Sequence, residues 1–371
     1  MKIKVVENPP VDPREFDLPA GFKEEHLEDV VEIFNTPLIG HYNWDYTDAD
    51  TRIKKLYELG KELNWNGSID LDWSNGLKKG EPPIKADLIA RMEGPLAALP
   101  EEERLEYMRH DQAWTLSQFL HGEQGAMLVA SQLVSCAPTY QAKLYAASQT
   151  FDEARHVEVF ARYLKEIHGL EYPINKNLKA LIDKILSDER WDLKFIGTQI
   201  IIEGLALAAF NNMKFILNDG LLKQLLHYVI RDEARHVTFG VNYLEDYLKT
   251  LSKSEIDDRA EFAFEACVVM RNRLISGDVI ARFLDYTPEE AQAAAENTEQ
   301  GQNFRTLLFT KIIPNLKRIG LLNDKVMPKY EKLGVLSYAE LEDNFDIDWA
   351  DMSKPYETQE EIERFINAPH H

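Results

Sequence analysis

The sequence predicts an all-α chain, a four-helix bundle with additional helices and an irregular N-terminal extension. Three observations lead there. From Glu101 to Leu322, apolar residues recur at three- and four-residue spacing, with almost no strand-like alternation. The first hundred residues are instead broken by Pro, Asn, Asp and Trp. Finally, the hexamer Asp-Glu-Ala-Arg-His-Val stands twice, at 152–157 and at 232–237, inside otherwise apolar helical pattern.

Taken in order, residues 1–100 read as an extension packed on the core, with a short helix over Ala49–Leu63. Apolar stripes of helical period then cover 105–136, 140–168, 176–187, 190–217, 221–251, 255–285 and 302–320, so that 101–322 forms the helical domain. Residues 323–371 read as a loosely ordered C-terminal tail, and His370 and His371 are set aside as a tag remnant.

A chain of 371 residues can bury a large core. It contains no run of eighteen apolar residues, and its N-terminus is charged and proline-broken, so neither a membrane span nor a signal peptide is expected and a cytoplasmic protein is. Cys136 and Cys267 are too few for a disulfide framework and read as small core residues. The formal charge of −21 argues against nucleic acid as a partner, because phosphate binding needs clustered positive charge.

In each hexamer Glu and His stand three apart, Glu153 with His156 and Glu233 with His236, so both side chains leave one helix face a turn apart. With 37 Glu and 10 His, one Glu-x-x-His is expected by chance; two inside an identical hexamer are not. Thirty residues before each ligand-type Glu lies another, Glu123 in FLHGEQGAMLVA and Glu203 in TQIIIEGLALAAF, interrupting an apolar stripe. Each interval is halved by a turn, Ala137-Pro138 or Asn218-Asp219-Gly220. Arms of about 21 Å up and back, at ~1.5 Å per residue, bring each lone Glu level with its Glu-x-x-His. Two such hairpins place four carboxylates and two imidazoles at one height in a core. Unpaired buried carboxylates are prohibitive, so cations belong there, and two divalent metals balance the four acids.

This pattern, Glu, Glu-x-x-His, Glu, Glu-x-x-His on four helices, resembles the ferritin-like di-iron carboxylate proteins. The fuller Asp-Glu-x-Arg-His form resembles their oxygen-activating branch: the hydroxylase components of bacterial multicomponent monooxygenases, the acyl-carrier-protein desaturases and the p-aminobenzoate N-oxygenases. The resemblance covers 105–251. It implies Glu123, Glu153 and His156 on one iron and Glu203, Glu233 and His236 on the other, with some glutamates bridging; manganese or a mixed Mn/Fe pair fits the same ligands. It also implies Asp152 accepting from His236 and Asp232 from His156, with Arg155 and Arg235 balancing the two aspartates.

The resemblance implies a non-haem di-iron oxygenase or oxidase acting on O2 and a small, moderately apolar organic substrate. Phe119, Met127, Phe160, Ala206, Leu207, Phe210 and Gly240 are the expected pocket residues, and Gly240 opposite Phe160 is read as opening space beside one histidine. Electrons must come from an external reductase or ferredoxin, since no nucleotide-binding glycine loop or cysteine cluster is present. A homodimer is compatible with the sequence. Two other classes stand beside this reading: a ferroxidase or metal-handling protein, and a ribonucleotide-reductase-like radical subunit. The latter carries a tyrosine one turn past the first histidine ligand, where this chain has Phe160; Tyr163 and Tyr243 read as core tyrosines. The N-oxygenases add a third histidine one turn before the last ligand Glu, where this chain has Val229; His227, His121 and His110 fall off the ligand faces.

Overall fold

The computed structural model describes residues 34–356, apart from 35, 48–50, 93, 272, 274, 299–300, 303–305 and 346. The expected helix over Ala49–Leu63 appears as α1, Arg52–Glu62, capped by the Thr51 side chain, which accepts from Lys54 N–H. Helix α2, Glu101–Cys136, is 36 residues long and begins with Glu101, Glu102 and Glu103, whose charge suits the positive end of the helix dipole. Pro138 ends the hairpin turn, and Thr139 caps α3, Tyr140–Tyr163. Helix α4, Lys176–Ser187, lies outside the bundle against α2.

The second hairpin is not a plain copy of the first. Its rising arm is α5, Trp191–Phe195, then a π-helical turn, Ile196–Ile202, then α6, Glu203–Ile216. Asp219 caps the descending α7, Gly220–Leu248, by accepting from Leu222 N–H at 2.7 Å, and also accepts from Tyr163 Oη at 2.6 Å. The 26-residue helical run Trp191–Ile216 has a mean hydropathy of 1.6 in its most apolar window. That window is wholly buried among the other helices, so its composition is that of a central core element.

Three expectations are corrected. The stripe over 255–285 is divided: α8 spans Lys253–Arg271 and α9 spans Gly277–Phe283, which packs on α2 and on α10, Pro288–Glu296. A Cβ at Gly277 would meet Pro288 O at 2.8 Å, so the close α9–α10 packing uses that glycine. The stripe over 302–320 is divided at Ile312 between a 3-10 piece, Leu308–Lys311, and a short helix, Ile313–Arg318, with Pro314 in its first turn, where a missing N–H is tolerated; residues 303–305 lie outside the described residues. The described part of the expected tail packs on the core: Val326, Tyr330 and Val335 are fully buried, and Asn344 exchanges hydrogen bonds with Asn315. The terminal histidines and residues 1–33 lie outside the described residues. Both cysteines are free and buried.

Candidate metal centre

The two hairpins bring the six residues of the repeated pattern together. Ligand atoms of Glu123, Glu153, His156 and Glu233 lie within 4.8 Å of one another, and so do those of Glu153, Glu203 and His236; all are buried. Each imidazole turns Nδ1 inward. His156 Nδ1 is 3.3 Å from Glu123, 3.3 Å from Glu153 and 3.2 Å from Glu233. His236 Nδ1 is 3.2 Å from Glu153, 3.8 Å from Glu203 and 3.8 Å from Glu233. Glu153 and Glu233 therefore each face both histidines, the position of bridging carboxylates. The resemblance implied bridging glutamates without saying which; Glu153 and Glu233 are the two that stand between the histidines.

The outward nitrogens meet acids on the opposite hairpin: His156 Nε2 is 3.2 Å from Asp232, and His236 Nε2 is 3.1 Å from Asp152. A carboxylate there holds the ring proton on Nε2 and leaves Nδ1 free to ligate. Arg155 contacts Asp152 at 2.5 Å and Asp232 at 3.0 Å, while Arg235 contacts Asp152 at 2.6 Å and Asp232 at 2.9 Å. Both guanidinium groups are buried, so these are not surface pairs. The arginines offset the two aspartates, and among the described residues none of the four glutamates forms a salt bridge with an arginine or lysine.

The electrostatics record that deficit. Burial pushes the carboxyl groups of Glu123 and Glu203 well above their usual range, and neighbouring glutamates push them further. Burial disfavours the imidazolium at His156 and His236, yet the surrounding carboxylates outweigh it and raise both. Glu153 Oε2, Glu203 Oε2, both Glu233 carboxylate oxygens and His236 Nδ1 are buried without a hydrogen-bond partner among the described residues. Such a set, oxygen-rich with two imidazoles, fits a pair of iron ions or a mixed Mn/Fe pair.

Four contributors escaped the sequence reading. Trp65, from the loop after α1, donates Nε1–H to Asp232 at 2.7 Å, and Arg155 stacks over its ring at 5.1 Å. Gln149 donates to Glu203 at 2.7 Å and to Glu153 at 3.1 Å, and itself accepts from Gln199 at 3.2 Å. Arg273, only 1% exposed, lies within electrostatic reach of Glu123 and 5.9 Å from the Phe119 ring; its Nε and Nη1 have no partner among the described residues. The glutamines were detectable, each standing one turn before a ligand-type Glu. Trp65 and Arg273 lie outside the repeat and carried no local signal.

The expected pocket residues separate. Phe119 lines a cavity of about 420 Å³ together with Met92, Met108, Gln112, Met213 and Ile280. Phe210 packs on Phe119 with ring centroids 4.5 Å apart, and Phe160 on Phe210 at 5.8 Å. Leu207 lines a different groove, open to solvent near Asn211 and Asp343, while buried Ala206 and half-buried Met127 line neither. Gly240 opens no space: a Cβ there would stand 2.6 Å from Gln199 Cβ, because the π-helical turn fills the gap. Tyr163 bonds Asp219 and Tyr243 bonds Thr139, as core tyrosines do. His227 is buried against Tyr356, and Val229 is wholly buried.

The family profile described as P-aminobenzoate N-oxygenase AurF matches residues 46–320. Among solved structures, an R2-like ligand-binding oxidase with aerobically reconstituted Mn/Fe cofactor is 18% identical and covers 76% of this chain and 96% of its own, with a TM-score of 0.49. The same oxidase after photoconversion is 17% identical, over 72% of this chain and 93% of its own, with a TM-score of 0.48. No curated protein matches.

Proposed function

We propose, from the premise that this chain belongs to the p-aminobenzoate N-oxygenase AurF family, that it uses O2 to oxidise a small aromatic substrate carrying an anionic group. It is an oxidoreductase of ferritin-like helical fold with a dimetal carboxylate site. The observation that carries the reading is the ring of orphaned oxygens on Glu153, Glu203 and Glu233 around two imidazoles, which no arginine or lysine among the described residues pairs.

Glu123, Glu153, His156, Glu203, Glu233 and His236 would hold two iron ions, or manganese and iron, with Glu153 and Glu233 between them. When bound, the pair supplies the redox chemistry that lets O2 react with an organic molecule. This chain's residues do the rest. Asp152 and Asp232 keep the histidine tautomers; Phe119, Phe160 and Phe210 keep water from the Glu123 side. The cavity beside Phe119 is large enough for a substituted benzene ring. Burial pulls the Arg273 guanidinium down to about 10 despite Glu123 nearby, the mark of a cation short of anionic partners. Arg273 does not line that cavity but lies 5.9 Å from the Phe119 ring at its wall, and together with the acid in the family's name it supports a carboxylate-bearing ring. Electrons come from an external reductase or ferredoxin.

The test is anaerobic loading with Fe(II), then oxygen exposure with an aminobenzoate or with the matching neutral aniline. The acid is expected to be oxidised, and Arg273→Leu to weaken its binding about 10- to 100-fold, the worth of a hydrogen bond to a charged group, while leaving the aniline unchanged. Oxidation of Fe(II) that no organic compound alters, with ferric ion released, would replace this reading with a metal-handling one.

A further inference from the structure

The two copies of the hexamer diverge one turn after their histidines, with Phe160 in the first and Gly240 in the second. The volume a side chain would take at Gly240 is occupied by Gln199 and by Ile200, whose Cδ1 is 3.2 Å from the position of a Cβ. Both belong to the π-helical turn, in which Glu203 N–H reaches Thr198 O, five residues back. One inserted residue rotates this face of the arm, so that Gln199 points at the bundle axis.

From there a line of amides runs to the metal ligands. Gln199 Nε2 donates to Gln149 Oε1, and Gln149 Nε2 donates to both Glu203 and Glu153. Both glutamines are fully buried. Chemistry fixes the direction: carboxylates only accept, so Gln149 must turn its NH2 to them and its carbonyl to Gln199, which must answer with its own NH2. The positions one turn before the other two ligand-type glutamates, Phe119 before Glu123 and Val229 before Glu233, cannot do this.

We infer that Gln149 is a positioning residue of the dimetal site, holding Glu203 and Glu153 in fixed relation, that Gln199 acts through it, and that Gly240 and the π-helical turn admit Gln199. The hold falls on the oxygens of the His236 side: Gln149 takes Glu153 Oε1, which faces His236 Nδ1 at 3.2 Å, and leaves Oε2, which faces His156 Nδ1 at 3.3 Å. Glu203 has no other side-chain hydrogen bond among the described residues, and its second oxygen faces His236 Nδ1 at 3.8 Å.

The inference rests on the dimetal reading, and a titration of the metal-free full chain with Co(II), followed by its visible spectrum under a competing chelator, separates the two. Wild type is expected to take two equivalents. Gln149→Leu should weaken one of them about 10- to 100-fold and leave the other nearly unchanged, the range found when groups supporting a metal ligand are removed. Gln199→Leu should weaken the same equivalent, and the double variant should be no weaker than Gln149→Leu, since Gln199 acts only through Gln149. Gly240→Ala, which alters no polar group, should reproduce Gln199→Leu. Two unperturbed equivalents in Gln149→Leu, additive losses in the double variant, or equal weakening of both equivalents would overturn the inference while the dimetal reading stands. A wild type that takes fewer than two equivalents would overturn both.

Discussion

Arg235 is the place to test whether the repeated Asp-Glu-x-Arg-His motif is a balanced charge set. Its side chain is 1% exposed and touches Asp152 at 2.6 Å and Asp232 at 2.9 Å. Arg155 reaches the same two acids, so two cations face two anions. Arg235→Met keeps most of the volume and removes one cation, leaving one buried aspartate short of its partner. Breaking a buried pair in this way costs about 3–5 kcal/mol. Unfolding entropy of ~2.1 cal/mol/K per residue over 371 residues gives about 0.8 kcal/mol/K. The melting temperature of the metal-free protein should therefore fall by about 4–6 °C by calorimetry. Adding Asp152→Asn removes the stranded charge and restores a one-to-one balance, so the double variant should recover half or more of the loss. The reasoning fails if Arg235→Met melts within about 1 °C of wild type, or if the double variant is no more stable than the single one.

Trp65→Phe removes the indole donor from Asp232, a buried bond to a charged group, and should cost about 1.5–3 kcal/mol in urea unfolding. Glu203→Ala is expected to bind one metal equivalent in place of two, read by elemental analysis after gel filtration. Two glycines flanking Glu123 should respond in opposite directions. A Cβ at Gly125 would lie 2.6 Å from Ile182 Cδ1, so Gly125→Val should destabilise by about 1–3 kcal/mol. Gly122 has nothing within 4 Å, so Gly122→Ala should stabilise by about 0.5–1 kcal/mol, both measured by denaturant melts.

The convergence of Glu123, Glu153, His156, Glu203, Glu233 and His236 was legible because helices convert sequence spacing into position: three residues share a face, and thirty residues with a central turn return to one level. The Asp–His pairing followed from the same repeat. What could not be read were contacts set by register defects and loops. A π-helical turn has no fixed sequence signature, so Gly240 read as empty space although Gln199 fills it. Trp65 and Arg273 approach from segments whose paths no periodicity specifies. The break between Arg271 and Gly277 falls within a stripe that stays apolar through Ile275 and Ile280, so apolar spacing alone could not separate α8 from α9.

The duplication explains why the two halves share ligands, and the departures from it explain why they need not share a task. One turn before Glu123 stands Phe119, in the wall of the cavity with Arg273 behind it; the same offset before Glu203 stands Gln199, sealed in the bundle by Gly240. A phenyl ring offers a ligand carboxylate no hydrogen bond, whereas the amide line offers Glu203 a 2.7 Å one. The local dielectric compounds the difference, since every fixed dipole near Glu203 acts where no water screens it. The Glu203 half is thus preorganised by its own neighbours, while one turn before Glu123 the Phe119 ring forms part of a cavity wall. Two identical hexamers can in this way stand in two different surroundings, one with an amide line and one with a phenyl ring, without changing a single ligand.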